Sequence, residues 1–251
     1  MLEFNSWRSF WDFHKSIVNE CRYIRSDSTN LFLDVVSYTS EKRIKSIDKG
    51  QVLWRAQLGH DWFPRYDNDE FLYDEPTPFS PKRMKPLINE AKEGRANPKG
   101  IPFIYLASNK ETAIGEVRPW IGSLISVGAF VVSRALSVVD ISEESEEALY
   151  YFEEPAPEKR EQEVWSDIGK AFSRPITNTD SNAEYAPTQV LAELFKQNGL
   201  DGLVYKSSLG NGKNIVLFNT NDAELKSCYL YEVQKLNFES SESSNPYYID
   251  D

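Results

Sequence analysis

A few polar residues stand where an ordinary core or turn does not require them. Arg55 interrupts the apolar string Leu53-Trp54-Arg55-Ala56. Arg95 and Asn97 lie in a Gly- and Pro-punctuated stretch, Gly94 to Gly100, that feeds the apolar run Ile101 to Ala107. Tyr105 alternates with Phe103 in that run. Glu116 falls in the last turn of a helical stretch, where a carboxylate meets the negative end of the helix dipole at a cost of up to about 1 kcal/mol; Arg118 offsets part of it. Ser207 and Ser208 follow the run Leu203 to Tyr205, at an element end where sites tend to sit. Singly, each has a plain reading: an edge-strand arginine reaching to water, a solvated loop, a core tyrosine, a turn. As a set, clustered arginines suit a small anionic ligand through charge-assisted hydrogen bonds.

Other chemistries are excluded. The two histidines, His14 and His60, and the two cysteines, Cys21 and Cys228, form no pairing at ligand spacing, so no metal is expected. His14 lies on an apolar helix stripe and reads as structural. There is no GxGxxG, no phosphate loop of the Walker type and no GxSxG. Gly210-Asn211-Gly212-Lys213 reads as a tight hairpin turn.

The elements that must carry these residues follow from period and punctuation. Phe4 to about Arg43 is helical, with Trp7, Phe10, Trp11, His14, Ile17 and Val18 on one face. Gln51 to Gln57 alternates as a strand. His60 to Pro86 has no period and reads as a long loop, and Leu87 to Glu93 as a short helix. Ile101 to Ala107 is a strand, and Ser108 with Glu111 forms a capping box for a helix running to Arg118, which Pro119 stops. Leu124 to Val132 and Leu136 to Ile141 are strands. An acidic segment, about 142–185, holds a helix near Glu158 to Phe172. Pro187 to Asn198 is a helix with Gly199 beyond its end. Strands at Leu203 to Tyr205, Asn214 to Phe218 and Ser227 to Val233 complete the set. The mixture lacks βαβ rhythm, which predicts an α+β fold on a mostly antiparallel, bent or split sheet. The expected domains are an N-terminal helical appendage (1–50), a main domain (51–236) and a disordered acidic tail (237–251).

The net charge of −11 is local. Nine glutamates against two bases between Glu143 and Glu163, and four acids without a base from Asn237 onward, account for all of it. The balanced body lacks a Lys/Arg stripe, so direct nucleic-acid binding is not expected. No apolar run approaches the roughly 18 residues of a membrane span. The absence of a signal-like N-terminus and of a disulfide framework points to the cytoplasm.

Five strings, in order, resemble the RES domain, named for Arg, Glu and Ser and best known from RES–Xre toxin–antitoxin pairs. They are Leu53-Trp54-Arg55-Ala56; Gly94-Arg95-Ala96-Asn97-Pro98-Lys99-Gly100; Tyr105-Leu106-Ala107 with Thr112-Ala113-Ile114-Gly115-Glu116-Val117; Tyr185-Ala186-Pro187-Thr188-Gln189-Val190-Leu191-Ala192-Glu193; and Asp201-Gly202-Leu203-Val204-Tyr205-Lys206-Ser207-Ser208 with Asn214-Ile215-Val216-Leu217-Phe218. Two departures stand out: Ala96 replaces the family's usual Trp, and the acidic segment lengthens the interval from Glu116 to Ser207. The resemblance implies an ADP-ribosyltransferase-like fold and an enzyme that degrades NAD⁺ by phosphorolysis or hydrolysis. Its alternative is protein ADP-ribosylation. It also implies a toxin or defence effector with a protein antitoxin or inhibitor. Carried over by motif, Glu116, Arg55 and Ser207 are the catalytic set, and Arg55, Arg95, Tyr105 and Ser207 bind NAD⁺, with phosphate as a further ligand. Chemically, arginines would hold the pyrophosphate. Tyr105 would face the nicotinamide cation. Glu116 would meet an oxocarbenium-like transition state. Ser207 would orient rather than attack, because no base stands beside it in sequence. From a different class, a non-catalytic nucleotide-binding module would use the same pocket.

Overall fold

The computed structural model describes residues 2–87, 90–143, 151–175, 182–237 and 239–241. Most of the expected tail lies outside the described residues. Two helices come first, α1 (Ser9–Asn19) and α2 (Asp27–Ser40). They bury Phe10, Phe13 and Ile17 and, from α2, Phe32, Leu33 and Val36. Ser26 caps α2 by accepting from the Thr29 N–H. These side chains lie in one apolar cluster with Val164, Trp165 and Phe172 of α5 (Pro157–Ser173) and Leu191 and Phe195 of α6 (Ala186–Gln197). The acidic segment therefore gives its central helix to the core. Its apolar residues recur at helical spacing on one face, while Glu158 is exposed, Glu161 half-buried and Glu163 buried.

Eight strands form one sheet: β1 (Ile44–Ile47), β2 (Val52–Leu58), β5 (Ile104–Ala107), β6 (Leu124–Val132), β7 (Leu136–Asp140), β8 (Gly202–Lys206), β9 (Lys213–Leu217) and β10 (Ala223–Glu232). Their order is β1-β7-β8-β9-β5-β2-β6-β10. Among the strands of the described residues only β7 and β8 pair in parallel, and the residues between them hold α5 and α6. The fold is thus α+β on a mostly antiparallel sheet. The split is visible in the pairing. β2 follows β6 from Val52 to Leu58 and β5 follows β9 from Ile104 to Ala107, but β2 and β5 share the single pair Trp54↔Ala107. The sheet opens from that point, one residue before Arg55.

Three local expectations fail, each for a physical reason. The segment after His60 is not a loop: β3 (Asp61–Asp67) and β4 (Glu70–Thr77) form a hairpin, followed by the short α3 (Pro81–Met84). Asn68 and Asp69 both take positive φ, 45° and 64°, which a two-residue hairpin turn matched to strand twist requires. Its side chains are exposed on both faces, so no burial period marks it in the sequence. Among the described residues, Leu87 to Glu93 forms no helix. Finally, α4 (Lys110–Glu116) is capped by Asn109, whose side chain accepts from the Thr112 N–H at 2.8 Å. The Ser108 hydroxyl is taken instead by the Lys213 N–H of β9, at 2.9 Å.

Candidate active site

The Gly94–Gly100 turn is built around one buried amide. Asn97 Nδ2 donates to the carbonyls of Lys92, Pro98 and Ile101, and its Oδ1 accepts from the Tyr105 hydroxyl at 2.7 Å. That hydroxyl in turn accepts from the Ala96 N–H. Gly94 is needed here, because a Cβ would lie 2.6 Å from the Tyr105 hydroxyl oxygen. Gln189 of α6 donates to the Gly94 and Asn97 carbonyls, and Thr188 to that of Arg95, so the turn is bolted to α6. Burial pushes the Tyr105 phenol far above its ordinary range, so it stays neutral and acts as a tie. Ala96 is fully buried in the main apolar cluster, so the position where the family carries Trp faces the core.

Arg55 emerges from β2 at the sheet opening. Its Nη1 donates to the Tyr105 carbonyl at 3.0 Å, and its Nε is buried without a partner among the described residues. Burial pushes the guanidinium down to about 10. Among the described residues no carboxylate forms a salt bridge with it. A desolvated cation with spare donors has the chemistry to take an anion.

Glu116 ends α4. Its Oε1 accepts from Ser207 Oγ at 2.6 Å and from Asn214 Nδ2 at 2.7 Å. The loop after β8 reaches it by close approach to α4: a Cβ on Gly115 would meet the Leu209 carbonyl oxygen at 2.5 Å, and one on Gly210 would meet Thr112 Oγ1 at 2.8 Å. The Gly212 N–H donates to Thr112 Oγ1, and the Leu209 N–H to Ser207 Oγ. Just beyond the end of β8, Ser207 is buried and Ser208 is exposed.

Trp54, Arg55, Tyr105, Glu116, Tyr205 and Asn214 line one cleft of about 320 Å³ at the sheet opening. That is at the small end of the roughly 300–1,000 Å³ usual for ligand pockets. Three of the residues singled out from the sequence, Arg55, Tyr105 and Glu116, thus share a wall, and Ser207 touches it through Glu116. Arg95 does not line the cleft. Its guanidinium donates to the Ala171 carbonyl at 2.8 Å and lies over the Tyr185 ring at 5.8 Å. Asn214 and Tyr205, directly paired across β8 and β9, were not singled out. The available signal was Asn214 itself, an amide directly before the apolar run Ile215 to Phe218. The neutral phenol of Tyr205, also held above its ordinary range by burial, adds an aromatic wall.

Among the described residues, no group of three or more His, Cys, Asp or Glu is placed to hold a metal ion, and no helix is long and apolar enough to cross a membrane. A family model described as the RES domain matches residues 52–239. No curated protein matches the chain. Among solved structures, the chain is similar to one from the M. tuberculosis MbcT–MbcA toxin–antitoxin complex. The identity is 14% over 79% of this chain and 92% of that chain, with a TM-score of 0.43.

Proposed function

This chain belongs to the RES-domain family, and from that premise we propose that it degrades NAD⁺ by breaking the bond between nicotinamide and ribose. The observation that carries the reading is Glu116, held through Oε1 by Ser207 and Asn214, in a cleft that also contains a desolvated arginine and two neutral tyrosines. In this reading Arg55 takes the pyrophosphate, and its spare donors replace the water it has lost. The Tyr105 and Tyr205 rings flank the nicotinamide cation. The cleft takes the reacting half of the dinucleotide, and the adenosine half lies over its open rim. Arg95 supports the turn behind Tyr105 rather than the pyrophosphate directly.

The bond from the ribose anomeric carbon to the nicotinamide ring nitrogen breaks with its electron pair going to that nitrogen, which neutralises the ring. Positive charge moves to the ribose as the bond stretches, and Glu116 stabilises it there. Water or phosphate then bonds the anomeric carbon through oxygen, and its proton leaves to solvent. Neutral nicotinamide needs no general acid, which fits a cleft without histidine. Ser207 already donates to Glu116 and accepts from Leu209, so it orients the carboxylate and is not a nucleophile. Such activity makes the protein a toxin or defence effector, with a protein inhibitor as its partner. The test is incubation of pure protein with NAD⁺, with and without phosphate, and identification of products by mass. Nicotinamide with ADP-ribose or its 1″-phosphate is expected. Intact NAD⁺ after prolonged incubation, with bound dinucleotide detectable by titration, would leave a binding module instead. A mass increase on a protein present in the mixture would identify ADP-ribose transfer.

A further inference from the structure

We propose that Asn214 is a positioning residue whose task is to fix which oxygen of Glu116 faces the reacting ribose; this rests on the NAD⁺-cleaving reading of the same cleft. Asn214 is 6% exposed and is the second residue of β9, ahead of four buried apolar residues, Ile215 to Phe218. A buried amide is costly unless it is hydrogen-bonded, and a leucine would fill such a position without that cost. Among the described residues, the one hydrogen bond of its side chain is to Glu116 Oε1, at 2.7 Å. Ser207 differs, because its hydroxyl also accepts from the Leu209 N–H and so helps to build its own loop. Among the described residues, the carboxylate is thus the sole hydrogen-bond partner of the buried Asn214 amide.

The two donors arrive from different elements, Ser207 from the loop after β8 and Asn214 from β9, and they converge on the same oxygen. One donor would leave the carboxylate free to turn about its last torsion. Two on one oxygen fix its plane and leave Oε2 without a protein donor among the described residues. A carboxylate presented in a fixed orientation contributes to the transition state without reorganisation. β9 is a suitable base, since Asn214 lies opposite Tyr205 on β8 and Ala107 on β5, between two hydrogen-bonded neighbours.

The experiment is a double-mutant cycle of Asn214→Leu and Glu116→Gln, read by single-turnover NAD⁺ cleavage and by NAD⁺ titration, with Asn214→Ala as a second variant in case leucine perturbs the strand. Asn214→Leu should slow cleavage by about 10- to 100-fold, the cost of a misplaced catalytic group, while NAD⁺ affinity changes by less than about 3-fold because Arg55 is untouched. In the Glu116→Gln background the same change should cost little more, since Asn214 acts only through that carboxylate. Cleavage within twofold of wild type in both Asn214 variants overturns the proposal. So does a loss that is as large in the Glu116→Gln background as in the wild type. If the wild-type protein leaves NAD⁺ intact, the cleavage reading fails on its own. The Asn214 contact is then judged by NMR of its side-chain amide, whose proton should move upfield when Glu116→Gln removes the charge from its acceptor. An unmoved resonance overturns the positioning role independently of activity.

Discussion

Replacing Glu116 by Gln separates catalysis from folding. Glu116 Oε1 accepts from Ser207 at 2.6 Å and from Asn214 at 2.7 Å, and Gln keeps an oxygen in that position. Both contacts survive as neutral hydrogen bonds, which are about half as strong as charge-assisted ones. The loss is roughly 1 kcal/mol for each, given the usual net worth of bonds to charged groups. Removing a carboxylate from the C-terminal turn of α4 returns up to about 1 kcal/mol. The net destabilisation is therefore about 1 kcal/mol, a melting shift of about 2–4 °C for a chain of this size. The rate should fall far more. The charge of the ground-state nicotinamide moves to the ribose in the transition state, so the interaction with Glu116 grows along the reaction and its loss appears in the chemical step. A preorganised electrostatic group of this kind is worth about 10²–10³ in turnover, or roughly 2.7–4 kcal/mol. Single-turnover cleavage, NAD⁺ titration and a melting curve on one preparation are the assay. Near-wild-type cleavage by a folded Glu116→Gln protein refutes the mechanism.

Ser207→Ala should slow cleavage by about tenfold or more, while exposed Ser208→Ala stays within about twofold; the reverse order in the same assay would contradict the site register. Arg55→Met should raise the melting temperature while abolishing NAD⁺ binding, by removing a buried cation at a gain of about 1 kcal/mol or more. Because burial lowers the Arg55 guanidinium to about 10, the fold disfavours its charged form. That penalty is full below about pH 10 and fades as pH rises toward the ordinary arginine value, so the melting advantage of the variant should shrink there. A less stable variant, or one that still binds, would show that Arg55 is structural. Gly115→Ala should destabilise by about 1–3 kcal/mol despite better helix propensity, because its Cβ would meet the Leu209 carbonyl oxygen at 2.5 Å. A raised melting point would mean that the loop yields freely. NAD⁺ cleavage should persist in EDTA, since the motif residues include no metal-ligand set; loss that added metal restores would require a different chemistry.

The period and punctuation of the chain determined most element identities: the strands at 52–58, 104–107, 124–132 and 213–217 and the helices near 157–173 and 186–197. Backbone alternation implied only that Ser207 and Ser208 face opposite ways; the choice of Ser207 came from the motif resemblance, and the structure buries Ser207 and exposes Ser208. Tertiary structure decided who meets whom. Arg95 looked like a ligand-binding arginine, yet its acceptor is a carbonyl 76 residues away on α5. The hairpin at 61–77 carried no period because neither face is covered. Asn214 and Glu116, 98 residues apart, meet only because β5 is inserted between β9 and β2 and α4 follows β5 directly. The opening beside Trp54 and Ala107 depends on one ladder pair joining two half-sheets. Side-chain pattern tells a residue which face to take. Strand order, set by burial of the whole set of apolar faces at once, decides which distant residues share that face, and that is what assembled the cleft.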